Sequence, residues 1–130
     1  MNIKIQQLQD KLCKSLCAEI HLVPKKNNWV LIENPFYFPD GDPYQIYLKE
    51  LSGGILRLTD MGHTMMQLSY ENDIDKFRKG TRGDLLEKIL AELDIKDDDG
   101  KFYIDGMPDQ LSHNIFKLSQ ALTKINDLTF

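Results

Sequence analysis

The apolar residues of this chain change their repeat twice, and that change limits the fold more than any single motif. Ile5, Leu8, Leu12 and Leu16 recur at helical spacing, with Cys13, Cys17 and Ile20 widening the stripe. This predicts an opening amphipathic helix to about Ala18. From Tyr44 the repeat shortens to two, with Tyr44, Ile46 and Leu48 on one face and Gln45, Tyr47 and Lys49 on the other. Leu111, Ile115, Leu118, Leu122 and Ile125 then return to helical spacing and define a long closing helix. Helix, strands joined by short turns, then helix is the pattern of an α+β fold with an antiparallel sheet.

The punctuation between these stretches sets the order of elements. A first strand is expected over Glu19 to Val23 and a second, well-buried one over Trp29 to Glu33. Pro24-Lys25-Lys26-Asn27-Asn28 turns between them. Asn34-Pro35 stops the second strand, and Phe36, Tyr37 and Phe38 lead into the loop Pro39-Asp40-Gly41-Asp42-Pro43. The third strand follows, Ser52-Gly53-Gly54 turns the chain, and Ile55 to Thr59 returns as a fourth. The expectation is a four-stranded antiparallel meander.

The second half reads as helical with one further short strand. Thr64 to Tyr70 predicts a short helix, whereas Asn72 to Gly80 is polar and carries no clear period. Thr81-Arg82-Gly83-Asp84 resembles a capping box ahead of the stripe Leu86, Ile89, Leu90 and Leu93. Asp97-Asp98-Asp99-Gly100 predicts a turn before a short strand over Lys101 to Asp105. With no repeat, linker or low-complexity tract, residues 1–130 read as a single α+β domain.

Charge narrows the partners. Sixteen Lys and Arg stand against twenty Asp and Glu, a formal charge of −4. Neutralising phosphates needs clustered bases, so direct nucleic-acid binding is not expected; a basic surface on another protein is. No segment approaches the roughly 20 apolar residues of a membrane helix, and no signal-like apolar run follows the first residues. A cytoplasmic protein without membrane contact is therefore expected. Cys13 and Cys17, four apart on one helix, read as free thiols filling an apolar face.

The candidate site is acidic. Asp40, Gly41 and Asp42 precede the third strand, and Asp60 and Gly62 follow the fourth within Arg57-Leu58-Thr59-Asp60-Met61-Gly62. In a hairpin the start of one strand lies beside the end of its partner, which would gather these carboxylates on one exposed rim. Such a rim offers a binding surface. Alternatively, three carboxylates could hold Mg²⁺ or act as a general base in a metal-dependent nuclease or hydrolase. Against the nuclease reading, the strand that follows Pro39-Asp40 offers Gln45 and Lys49 but no carboxylate two residues before a lysine. The Asp97 to Gly100 run lacks the first and last ligands of a calcium loop. Arg78, Lys79 and Arg82 around Gly80 and Gly83 offer a weak anion-site pattern without nucleotide-binding spacing. His21, His63 and His113 sit in no ligand spacing, so no catalytic residue, metal or cofactor is assigned.

Pro35-Phe36, Pro39-Asp40-Gly41-Asp42, Ile46-Tyr47-Leu48 and Arg57 to Gly62 with Thr64 and Leu68 carry a resemblance. Leu12-Cys13 with Cys17, Ile89-Leu90, the Gly100 to Ile104 strand and Ile125-Asn126-Asp127-Leu128 extend it over nearly the whole chain. The chain resembles a bacterial and prophage-associated family known only as a domain of unknown function. That association implies a setting of phage–host conflict: a toxin–antitoxin partner, a defence accessory or an inhibitor of a defence complex. The expectation is a non-enzymatic protein-binding module. A third alternative, from fold analogy alone, is a small dimeric secretion-chaperone-like protein.

Overall fold

A computed structural model describes residues 4–128. The chain opens with helix α1 (Ile5–Glu19), and a single residue, Ile20, leads into strand β1 (His21–Pro24). Strands β2 (Val30–Glu33), β3 (Tyr47–Glu50) and β4 (Leu56–Thr59) follow, then helices α2 (His63–Ser69), α3 (Ile74–Phe77) and α4 (Gly80–Glu92). The hairpin of β5 (Lys96–Asp98) and β6 (Lys101–Gly106) precedes the closing helix α5 (Leu111–Asp127). All strand pairs are antiparallel, in the order β1-β2-β3-β4-β6-β5.

The sheet thus has six strands rather than a meander of four. The four expected strands are in place as neighbours, and the late hairpin joins them by pairing β6 with β4, Leu58 opposite Ile104. β5 carries no apolar alternation because it is an edge strand, with Lys96, Asp97 and Asp98 all exposed. Charge on an edge hinders pairing with other chains, and it also hides a strand from a hydrophobic pattern. β3 starts later than the alternation suggests. Tyr44 and Ile46 are buried, but Tyr44 N–H donates to Phe36 O (3.0 Å), closing the preceding loop before the regular ladder begins.

Alternation sorts the sheet into two faces. Ile32, Leu48, Leu58, Phe102 and Ile104 point into the core with Ile46, under α5, α2 and α4. α5 supplies Ile115, Leu118, Ala121, Leu122 and Ile125, all buried. On the opposite face Lys49 lies over the Trp29 ring (4.9 Å) and Arg57 over that of Tyr103 (4.0 Å). Arg57 also forks onto Asp105 with bonds of 2.8 and 2.9 Å, which raises its already high pKa. The second strand is less buried than expected, because only Ile32 faces the core fully while Val30 and Leu31 stay half-buried.

Two local readings need correction. The capping device in the second half is Asp73, which accepts from Asp75 N–H (3.1 Å) and Lys76 N–H (3.4 Å) to start α3 in the stretch that showed no period. Thr81 lies inside α4, whose N-cap Lys79 offers no side-chain bond. Gly83 is needed for packing: a Cβ there would run into the Arg78 carbonyl. The thiols, in turn, fill no interior, since Cys13 and Cys17 are both exposed. No described helix is long and apolar enough to cross a membrane.

Candidate functional site

The loop between β2 and β3 is built to hold its shape. Asn34 clamps its base, donating to Ile32 O (3.0 Å) and Tyr44 O (3.1 Å) while accepting from Phe36 N–H (3.0 Å). Phe38 N–H donates to Asp42 O (2.8 Å), Gly41 N–H to Phe38 O (2.9 Å), and Asp42 N–H to the Asp40 carboxylate (3.0 Å). Gly41 has φ +93°, the left-handed conformation this turn requires. Phe38 is buried against Tyr44, ring centroids 4.7 Å apart. The Tyr44 hydroxyl lies 2.6 Å from Thr123 Oγ1 on α5, and burial pushes the phenol pKa up. Because Phe36 and Phe38 turn inward, Tyr37 between them is turned out, 68% exposed.

Helix α2 meets this loop from the other side. Gln67 donates to the Asp40 carboxylate and reaches Asp42 Oδ2 at 3.4 Å, so the exposed pair Asp40 and Asp42 is tied to one residue of α2. A shallow groove of about 240 Å³ runs between loop and helix, with Asp40, Gln67, Tyr70, Glu71 and Asn126 among its walls. A neighbouring depression of about 310 Å³ adds Asp42, His63 and Met66 and shares Gln67 and Tyr70. Tyr70 is 69% exposed and Met66 is exposed beside it. Acids line these depressions, and no Lys or Arg is among their walls.

Asp60 occupies a different position. At the end of β4 it is 0% exposed, and it does not lie on a solvent-facing rim. One carboxylate oxygen accepts from Gly62 N–H (3.0 Å) and Phe102 N–H (3.0 Å), the other from Thr64 N–H (3.2 Å). Burial pushes its pKa above the ordinary 3.8, and the bonds from these amides oppose that shift. Gly62, with φ +83°, lets the chain reverse into α2 while its amide faces Asp60. The motif after the fourth strand therefore joins β4, β6 and the start of α2. It positions the helix that carries Gln67 and ends at its C-cap Tyr70.

The other sequence candidates are also located. Arg78 forks onto Asp97 with bonds of 2.8 and 3.4 Å, and Arg82 donates to Asn72 (3.3 Å), so both arginines are engaged within the fold. Asp97 also accepts from Gly100 N–H (2.8 Å), fixing the turn of the β5–β6 hairpin. Among the described residues no group of three His, Cys, Asp or Glu is disposed to hold a metal. Sequence reasoning passed over Tyr37, Met66, Gln67, Tyr70 and Glu71. Only the inward–outward alternation of Phe36, Tyr37 and Phe38 hinted at an exposed aromatic.

The fold and site define a small α+β domain that presents a hydrogen-bonded acidic loop, with the exposed Tyr37 in it and the exposed Tyr70 beside it. The chain belongs to the family described as Domain of unknown function DUF1828, whose model matches residues 34–125. The match takes in the loop, the Asp60 turn and most of α5, and it begins after α1, β1 and β2. No curated protein and no solved structure matches the chain.

Proposed function

We propose that this chain is a non-enzymatic protein-binding module whose groove around Asp40, Gly41 and Asp42 receives a basic segment of another protein. The partner would belong to the phage–host conflict setting that the family resemblance implies. One observation carries the reading: the groove walls hold the carboxylates of Asp40, Asp42 and Glu71 and the exposed Tyr70, with no Lys or Arg among them. Carboxylates form their strongest hydrogen bonds with guanidinium and ammonium groups. Tyrosine faces attract the same cations, and aromatic residues and methionine are enriched in protein interfaces. Asp60 and Gly62 enter this reading as positioning residues, since they hold the start of α2 and hence Gln67 and Tyr70.

The test combines partner capture with a defined probe. Binding of an Arg- and Lys-rich peptide, followed by fluorescence anisotropy, should weaken about tenfold in Asp40→Asn/Asp42→Asn, equivalent to about 1.4 kcal/mol. Raising the salt should weaken it further. Tyr70→Ala should lower capture of a host protein in pull-downs without altering thermal unfolding. Capture that survives all three substitutions unchanged would remove this groove as the binding surface.

A further inference from the structure

Helix α1 bears an apolar stripe that none of the described residues covers. All residues of α1 are exposed, Ile5 at 69%, Leu12 at 50% and Leu16 at 50%. An amphipathic helix of about four turns has little stability alone in water, and it normally persists by packing its apolar face. The stripe thus calls for an occupant, and the charges on α1 indicate which. Its first turn carries no acid and its last turn no base. Instead Lys4 stands at the N-cap and Glu19 is the last residue, the wrong way round for the helix's own dipole.

An antiparallel neighbour of the same sequence corrects every one of these features. Placing a two-fold axis at Leu12 sets Leu12 against Leu12 and Leu8 against Leu16 of the other copy. The same register brings Lys4 beside the other copy's Glu19 and the negative end of its helix, and brings Glu19 beside the positive end. Lys11 lies about 100° round the helix from Leu12 on the side opposite to Cys13, where it groups with Gln7, Asp10 and Lys14 on the polar face, whereas Cys13 stays on the side of the stripe that continues to Leu16. The strand that continues from α1 is also open. β1 is an edge strand whose residues His21, Leu22, Val23 and Pro24 include no Asp, Glu, Lys or Arg, unlike the charged edge at β5.

We propose that this face is a homodimer interface, formed by antiparallel pairing of α1 with α1 of a second copy about Leu12. A pair of four-turn helices buries less than the ~800 Å² per partner of a standard interface, so the dimer dissociates on dilution. This surface is separate from the acidic groove, and either can fail without the other.

Sedimentation across a concentration series should show a monomer–dimer equilibrium. Leu12→Asp, which sets two carboxylates against each other on the axis, should weaken it at least about 100-fold and leave monomer unfolding unchanged, since no α1 residue is buried. Lys4→Glu and Glu19→Lys should each weaken dimerisation, and the double reversal should restore it. Mild oxidation supplies a geometric check. The two Cys13 residues would lie about 3 Å apart along the axis and the two Cys17 residues about 15 Å. Cys17→Ser should therefore still form a disulfide-linked dimer and Cys13→Ser should not. A monomer at every concentration overturns the proposal, as does a dimer indifferent to Leu12→Asp or linked through Cys17 alone. A monomer that instead binds lipid vesicles through the stripe also overturns it.

Discussion

Helices α1 and α5 carry comparable apolar stripes and meet opposite fates. α5 buries Asn114, Ile115, Leu118, Ser119, Ala121, Leu122 and Ile125, whereas α1 buries none of its residues. The difference lies in where each helix enters the sheet. α5 follows β6, which pairs with β4 near the centre, and lies across both strands. α1 runs through Ile20 into β1, the outermost strand, while α2, α4 and α5 already occupy the core face. A helical period demands that a face be covered but does not name the cover. The same contrast separates two acidic sites: Asp60 is enclosed between β4, β6 and the start of α2, and Asp40 and Asp42 stand in solvent.

The comparison can be broken or sharpened by substitution. The largest effect is expected from Leu122→Ala on α5, which should cost about 2–5 kcal/mol in denaturant unfolding as a fully buried side chain leaves a cavity. Asp60→Ala comes next, at about 3 kcal/mol, because it strands the buried N–H groups of Gly62, Thr64 and Phe102. Were it to cost as little as a surface change, the assignment of Asp60 to the core would fail.

Asp60 also gives a pH signature. Its folded pKa lies above the ordinary 3.8, so the native state keeps this proton after the unfolded chain has released it. The stabilisation that this retained proton adds is complete below 3.8 and is lost as pH rises through the raised value, while the bonds accepted from the three amides remain. The stability gap between the wild type and Asp60→Asn, measured by thermal unfolding, should therefore narrow as pH rises across that window. At the small end, Leu12→Ala on α1 should move monomer stability by no more than about 0.5 kcal/mol, since it opens no cavity. A large loss there would mean that α1 has an intramolecular partner after all.

Much of the fold was legible because helical and strand periods are written locally. The opening and closing helices, the four strands before residue 60 and the turns between them follow from side-chain spacing and from Pro, Gly and Asn placement. β5 and α3 escaped for opposite reasons. The strand is an exposed charged edge without alternation, and the helix is four residues capped by Asp73, too short to show a period. The site was legible in part. Asp40 and Asp42 carry the turn chemistry of an exposed loop, but nothing near them in the chain announces Gln67 or Tyr70, which arrive on α2.

The amino-acid order by itself determined an α+β domain, an antiparallel arrangement of the early strands and the position of the acidic turns. Those properties depend on neighbours a few residues apart. Only the tertiary structure decided that Asp60 is an internal strut, that Asp40 and Asp42 face solvent beside tyrosine, and that one apolar stripe makes the core while the other is left open. Burial depends on groups distant in the chain: the amide of Phe102 that completes the Asp60 site lies 42 residues away.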